Sequence, residues 1–202
     1  MITVVGIGPG SPEFLFEKSK QAIMAAEIII GSARQLTIVP LEKQAAKYEL
    51  PKKLNDLAIF LQEHKQQKIV LLASGDPLTY GIAKWLGQYF SIDEMQVIPG
   101  LSSIQYLFNK ARIPMEDCFI TSSHGKIPDF DLLLSLPKVG LVTDKELGPY
   151  ELAQAAIKRG VKKWFLIGEN LSYENERLRW FSAEEVPNEE YQMNVVVIVD
   201  ER

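Results

Sequence analysis

Three short loops hold the residue types best suited to bind a small ligand. The first, GIGPG at residues 6–10, follows an apolar run and precedes a helical pattern. Glycines in a strand-to-helix turn let the backbone approach a ligand closely, and such a turn collects amides at a helix N-terminus. The spacing differs from the G-x-G-x-x-G of dinucleotide-binding loops, and Pro9 removes an amide where a pyrophosphate needs a donor. The loop predicts a ligand site that is not for NAD, with a tight turn that binds nothing as the alternative.

The second and third loops are SGDPLTYG at residues 74–81 and PGLSS at residues 99–103. Both follow apolar runs, and ligands of parallel α/β sheets bind beyond the carboxyl ends of the strands. Asp76 has the chemistry to accept hydrogen bonds from ribose hydroxyls or from a ligand ammonium. The alternatives are a turn or helix-cap role for Asp76 and helix capping for Ser102 and Ser103.

The elements that must position these loops are short apolar strands alternating with amphipathic helices. Helical spacing of apolar residues predicts helices over residues 14–26, 54–64 and 152–159. Continuous apolarity in the strands indicates burial on both faces, and therefore an α/β fold with mainly parallel or mixed sheets. The predicted strands are residues 2–5, 28–30, 69–73, 96–98, 118–121, 139–143, 164–167, 178–181 and 195–199.

The domain organisation follows from length and from one polar stretch. Residues 109–116 contain Pro114 and polar side chains, which favours a hinge there. We therefore predict two small α/β domains, residues 1–112 and 113–202. Since the chain has 202 residues, one larger α/β domain is the alternative.

The composition excludes several classes of partner. With 22 basic and 26 acidic residues the formal charge is −4, so no basic field predicts binding to nucleic acid or to an anionic membrane. One cysteine, Cys118, and two histidines, His64 and His124, predict neither an internal disulfide nor a Cys/His zinc site. The sequence lacks a signal-peptide pattern and a long apolar run, so we expect a cytoplasmic protein without a protein-bound metal.

Taken in order, the three loops carry a family resemblance. They resemble the G-x-G-P-G, G-D-P and P-G-x-S-S loops of the tetrapyrrole (corrin/porphyrin) methylase family, and the resemblance covers essentially the whole chain. It implies two α/β domains with the ligand in the cleft between them, S-adenosylmethionine as methyl donor and a homodimer. Further stretches resemble members that methylate C-5 of a cobalt-precorrin in cobalamin biosynthesis: residues 31–34, 122–125, 143–146, 168–171 and 176–178. Because the chain stops at Arg202, we expect the C-15 methylation and decarboxylation of larger relatives to be absent.

The resemblance also implies roles for individual residues. The residues expected to contact S-adenosylmethionine are Pro9, Gly75, Asp76, Thr79, Ser102, Ser103, Thr143, Gly168 and Glu169. The substrate is an anionic corrinoid, so cations in loops after strands are expected to bind its carboxylates: Arg34, Lys126 and Lys145. His124 is a candidate for hydrogen bonding, cobalt ligation or proton transfer. No catalytic base is assigned, and any cobalt belongs to the substrate.

Two other kinds of function stay open at this stage. One is a methylase of the same scaffold that acts on a modified histidine of a translation factor, as in diphthine synthesis, or on ribosomal RNA. The acidic composition disfavours the RNA version. The other is a corrinoid- or nucleotide-binding module without turnover, since a fold does not determine a function.

Overall fold

The computed structural model describes residues 1–202, which divide into two compact units, Met1–Ser102 and Ser103–Arg202. Each unit contains one five-stranded sheet and its own helices, so the predicted α/β class is confirmed. None of the helices has both the length and the apolar character needed to cross a bilayer.

The first unit is built on an all-parallel sheet. Along the chain its elements are β1 (Ile2–Gly6), α1 (Glu17–Ala25), β2 (Ile28–Gly31), α2 (Ala33–Leu36), β3 (Ala46–Glu49), α3 (Leu54–Glu63), β4 (Ile69–Ala73), α4 (Ala83–Leu86) and β5 (Met95–Ile98). The strand order across the sheet is β3-β2-β4-β1-β5, which places β1 between β4 and β5.

Burial on both faces explains why these strands are continuously apolar. Alternate residues of a strand point to opposite faces. Ile69 and Leu71 of β4 belong to one buried cluster, with Leu57 and Leu61 of α3, whereas Val70 and Leu72 belong to the other. The same alternation holds in β1. Both faces of the sheet are thus covered, as expected for parallel strands.

The second unit has a mixed sheet. Its elements are α5 (Ser103–Ala111), β6 (Phe119–Ser122), α6 (Phe130–Ser135), β7 (Lys138–Val142), α7 (Pro149–Lys158), β8 (Trp164–Glu169), β9 (Arg177–Ser182) and β10 (Asn194–Val199). The strand order is β6-β7-β10-β8-β9, with β6 parallel to β7 and the other pairs antiparallel. The last strand along the chain therefore lies at the centre of the sheet.

The division between the units lies ten residues before the predicted domain boundary, because α5 packs on the second sheet. Ile104 and Phe108 of α5 are fully buried, and both lie against the backbone of β7 at Gly140. The expected hinge at residues 109–116 consequently begins inside α5. The helix predicted from Phe14 begins at Glu17 instead, since Pro12–Phe14 form a separate 3-10 turn.

Gly140 provides a test of this packing. A Cβ at Gly140 would lie 2.7 Å from Ile104 Cγ2 and 3.0 Å from Phe108 Cε2. We expect Gly140→Ala to lower the free energy of unfolding by about 1–3 kcal/mol through overpacking. Gly87→Ala is the control, because a Cβ there meets only ordinary contacts at 3.6 Å. Denaturant unfolding measures both, and a Gly140→Ala variant as stable as Gly87→Ala would contradict the packing of α5.

Candidate functional site

The three glycine-rich loops of the first unit lie at one edge of its sheet. They follow the carboxyl ends of β1, β4 and β5, which are neighbours in the strand order. The loop after β1 and the loop after β4 are joined by two reciprocal backbone bonds. The N–H of Gly75 donates to the oxygen of Gly8 at 2.7 Å, and the N–H of Gly8 donates to the oxygen of Gly75 at 3.3 Å. The three loops therefore converge at one edge of the sheet.

The glycines allow the loops to approach each other closely. A Cβ on Gly100 would lie 2.2 Å from the oxygen of Gly75, and one on Gly6 would lie 2.5 Å from the nitrogen of Gly100. No side chain fits at these two positions. From the sequence, the glycines are expected to let a ligand approach closely. In the structure, Gly6 and Gly100 instead allow one loop backbone to contact another. Both backbone polar groups of Gly75 already have a partner in that contact.

Asp76 joins the second loop to the third. Its Oδ1 accepts hydrogen bonds from the N–H of Leu78 at 2.9 Å and from the N–H and hydroxyl of Thr79 at 3.0 and 3.1 Å. Its Oδ2 accepts from the N–H of Gly100 at 3.2 Å. Four donors within the chain therefore hold this carboxylate. The turn role that was the alternative for Asp76 is present, and a direct contact with a cofactor stays a prediction.

The remaining predicted residues of the first unit lie in or beside the same loops. Pro9 is buried, and Ser102 is half-buried at the end of the third loop. Arg34, exposed in α2, donates from Nη2 to the hydroxyl of Ser74 at 2.8 Å, which places its guanidinium beside the second loop. Arg34 was expected in a loop but lies in the short helix α2 after β2, and its side chain links that helix to the loop after the neighbouring strand β4.

The second unit has a pocket of about 490 Å³ at one edge of its sheet. Such a volume lies in the range of small-molecule sites. Three predicted residues line it: His124 after β6, and Thr143 and Lys145 after β7. The hydroxyl of Thr143 donates to Oδ1 of Asn194 at the start of β10, at 2.7 Å. The rest of the lining is Asp144, Gly148, Pro149, Glu151, Glu189, Glu190, Tyr191, Gln192, Met193 and Asn194.

Of the two lysines expected to bind substrate carboxylates, only Lys145 lines the pocket. Lys145 pairs with Glu190 at 3.7 Å, but both side chains are at least four-fifths exposed, so the pair contributes little to stability. Lys126 is exposed in the loop after β6 and does not line the pocket. The pocket itself is rich in carboxylates, because Glu151, Glu189 and Glu190 all reach it.

Glu169 and Gly168 lie in the interior at the end of β8. The side chain of Glu169 is 3% exposed, and its oxygens accept from Arg179 Nη2 at 2.8 Å and from the N–H of Gln192 at 3.1 Å. Gly168 packs against Leu107 and Leu171. The Glu169 carboxylate is therefore hydrogen-bonded within the protein, and Gly168 is packed by apolar side chains. Contact of either residue with a cofactor stays a prediction.

Comparisons with known proteins identify the family of the chain. The model of the tetrapyrrole (corrin/porphyrin) methylases matches residues 1–187. The chain belongs to this family. The cobalt-precorrin-7 C(5)-methyltransferase of Salmonella typhimurium is 40% identical to this methylase over 100% of both chains. The probable cobalt-precorrin-7 C(5)-methyltransferase of Methanocaldococcus jannaschii is 32% identical over 99% of this chain and 98% of its own.

Solved structures support the same fold for this methylase. The precorrin-6Y methylase of Archaeoglobus fulgidus superimposes with a TM-score of 0.78 at 22% identity, covering 100% of this chain and 98% of that one. The uroporphyrin-III C-methyl transferase of Thermus thermophilus, complexed with S-adenyl homocysteine, gives a TM-score of 0.81 at 20% identity, covering 98% and 97%.

Sequence reasoning missed three residues that shape the second-unit pocket of the methylase. Arg179 donates from Nη2 to both Glu169 and Glu189, and thereby ties the pocket segment at residues 187–193 to β8 and β9. Burial disfavours its charge, but the two carboxylates outweigh burial and raise its pKa. Asn194 was not singled out, and Asp144 was quoted only within the stretch at residues 143–146, without a role of its own. Arg177 and Arg179 alternate with Leu178 and Trp180, which is typical of a strand with one solvent-exposed face, so no signal identified Arg179.

Tyr191, which lines the pocket, also has a shifted pKa. Burial is the main cause and the nearby Glu189 carboxylate adds to it, and together they raise the pKa of Tyr191 to about 12. Its hydroxyl donates to the oxygen of Pro187 at 2.8 Å. The phenol is thus neutral throughout the physiological range and acts as a hydrogen-bond donor within the pocket segment.

Breaking the Arg179–Glu169 pair tests how the pocket wall is held. Since Glu169 is buried, Arg179→Met leaves an uncompensated carboxylate, and we expect a loss of about 3 kcal/mol in the free energy of unfolding. The double variant Arg179→Met/Glu169→Gln should recover much of that loss. Arg177→Met, an exposed change on the same strand, is the matched control. Denaturant unfolding decides, and equal stability of Arg179→Met and Arg177→Met would refute the role of this pair.

Proposed function

We propose that this chain is an S-adenosylmethionine-dependent methyltransferase that methylates C-5 of a cobalt-precorrin, from cobalt-precorrin-6B to cobalt-precorrin-7, in cobalamin biosynthesis. The observation that carries the proposal is the 40% identity, over the full length of both chains, to an enzyme of that name. The three interlocked loops of the first unit support it, because they supply the backbone surface that the family resemblance predicts for a cofactor.

The residues of the three loops after β1, β4 and β5 fit the methionine portion of the cofactor. In the proposal, Pro9, Thr79 and the hydroxyls of Ser102 and Ser103 contact that portion. Gly75 and Asp76 hold the loops in place, since their polar groups already have partners within the chain. A cation such as a ligand ammonium would be favoured near the Asp76 carboxylate, because its Oδ2 accepts only one hydrogen bond within the chain.

The second-unit pocket suits a nucleoside. Thr143, Asn194 and Gln192 bring hydroxyl and amide groups to it, and Met193 and Tyr191 bring apolar surface. Nucleoside sites combine an apolar lining with a few hydrogen-bonding groups in this way. We propose that Thr143 hydrogen-bonds the adenosine and that Gly168 and Glu169 shape the floor from the interior.

In the proposed mechanism, the protein aligns the methyl donor with C-5 of the substrate. When bound, the sulfonium supplies an already activated methyl group, so no nucleophilic side chain is required. The chain's own residues have to hold donor and acceptor in line and exclude water, and proximity with orientation supplies up to about 7–11 kcal/mol in well-arranged systems. Arg34, Lys126, Lys145 and His124 are proposed to hold the carboxylates of the anionic corrinoid, and no residue is assigned as a base.

We also propose a cytoplasmic homodimer that binds neither nucleic acid nor membrane. The acidic formal charge of −4 supports the absence of polyanionic partners. Sedimentation of the purified protein tests the dimer, and cell fractionation tests the location.

The cofactor assignment is tested by titration calorimetry. We expect the wild-type protein to bind S-adenosylmethionine or S-adenosylhomocysteine and to show no comparable affinity for NAD. Asp76→Ala should weaken that binding by about 1–3 kcal/mol, as for the loss of a charged hydrogen-bonding group. Asp56→Asn, which removes an exposed carboxylate of α3, should leave affinity unchanged. Tight binding of NAD alone would refute the cofactor.

The substrate assignment is tested by turnover. Labelled S-adenosylmethionine is supplied with a panel of precorrin and cobalt-precorrin intermediates, and label should appear at C-5 of the cobalt-precorrin. Arg34→Ala should raise the KM for the tetrapyrrole about tenfold, a change of about 1.4 kcal/mol, and leave cofactor affinity intact. Arg34→Lys should restore the KM only in part, because an ammonium keeps the charge but lacks the planar fork of a guanidinium.

Lys18→Ala, at an exposed position of α1, controls for the loss of one positive charge. Equal KM values for Arg34→Ala and Lys18→Ala would remove Arg34 from the substrate site. Wild-type protein that binds both ligands without transferring label would indicate a binding module, and label on a protein or RNA acceptor would indicate another methylase of the scaffold.

A further inference from the structure

In each unit, one aspartate accepts hydrogen bonds both from its own turn and from a glycine of another loop. After β4, Asp76 accepts from two N–H groups of its own turn with Oδ1 and from a glycine N–H of another loop with Oδ2. After β7, Asp144 accepts with Oδ1 from the N–H groups of Glu146 and Leu147, at 3.0 and 2.9 Å. Its Oδ2 accepts from the N–H of Gly125 at 2.7 Å. An aspartate after a parallel strand thus joins two loops in both sheets.

The loop that Asp144 holds, residues 122–126, carries His124 and Lys126. Gly125 has a φ of +66°, a conformation that favours glycine, and this turn directs its N–H toward Asp144. The hydroxyl of Ser123 adds a second link by donating to the oxygen of Leu147 at 2.8 Å. The loop after β6 is therefore fastened to the loop after β7 at two points, and His124 lies between them along the chain.

We propose that Asp144 is a positioning residue that holds the 122–126 loop so that His124 faces the pocket and captures a carboxylate of the tetrapyrrole. The inference rests on the proposed function and deepens it. Asp144 acts through the loop, because three N–H groups already occupy its two oxygens.

The charge state of Asp144 agrees with this role. The hydrogen bond from the Gly125 N–H is the largest cause that lowers the pKa of Asp144, followed by the bond from the Leu147 N–H. The group is therefore an acceptor at neutral pH. Asparagine at this position keeps one acceptor oxygen but faces Gly125 with an amide that cannot accept, so Asp144→Asn removes the link between the loops selectively.

Hydrogen exchange of the free protein tests the link without any ligand. We expect the Gly125 amide to exchange at least about tenfold faster in Asp144→Asn than in wild type. The matched control is Asp129→Asn, because Asp129 makes the same local turn, to the N–H groups of Asp131 and Leu132 at 3.0 and 3.1 Å, at the start of α6. Wild-type exchange of Gly125 in Asp144→Asn would overturn the proposal.

Kinetics test the role in substrate capture. Asp144→Asn should raise the KM for the cobalt-precorrin about fivefold, the loss expected for one hydrogen bond, while kcat and the Kd for S-adenosylhomocysteine stay at wild-type values. In a His124→Ala background the same change should have little further effect. An unchanged KM, an equal loss of cofactor affinity, or additive effects of the two substitutions would overturn the proposal. If wild type neither binds nor methylates the tetrapyrrole, the proposed function is wrong, whereas the exchange rates report the loop link independently.

Discussion

The packing of backbone against backbone at Gly6, Gly75 and Gly100 is the constraint on which the first unit depends. A single Cβ at Gly100 or Gly6 would collide with main-chain atoms, which cannot move aside as a side chain can. The three loops therefore have one arrangement, set where β4, β1 and β5 end side by side. The Asp76 carboxylate then needs only one bond to Gly100 to hold the third loop in register with the second. The edge of the sheet thus presents a surface of main-chain atoms whose arrangement is fixed by contact between backbones.

The second unit reaches a comparable result with charged side chains. Its sheet is mixed, and the antiparallel strand β10 separates β7 from β8, so the loops after these two strands do not interlock through glycines. Asp144 and the Glu169–Arg179 pair join neighbouring segments instead. The Glu169 carboxylate is buried, so its charge costs desolvation energy, which the bonds from Arg179 and from the N–H of Gln192 offset. The first unit is thus shaped by sterics and the second by electrostatics.

Much of this arrangement could be predicted from the sequence, for reasons that particular residues illustrate. The strand at residues 69–73 was predicted with its observed bounds, because both of its faces are buried and every residue is apolar. β3 was missed, since all four of its residues are exposed at the sheet edge, and Lys47 and Glu49 have no apolar pattern. The three glycine-rich loops were found because glycine and proline are rare outside turns. The partner of Asp144 could not be found, since Gly125 lies 19 residues away and nothing local to either residue indicates the contact.

The position of β10 has a consequence for how the chain is made. β10 pairs with β7 on one side and β8 on the other, although it is the last of the five strands to be synthesised. While the ribosome is still translating residues before 194, β6 and β7 on one hand and β8 and β9 on the other have no strand to join them. The first unit, whose strands end at residue 98, can fold while this gap persists. Until β10 emerges, the inner edges of β7 and β8 expose unpaired backbone groups, which makes the nascent second unit the part of the chain most in need of chaperone protection.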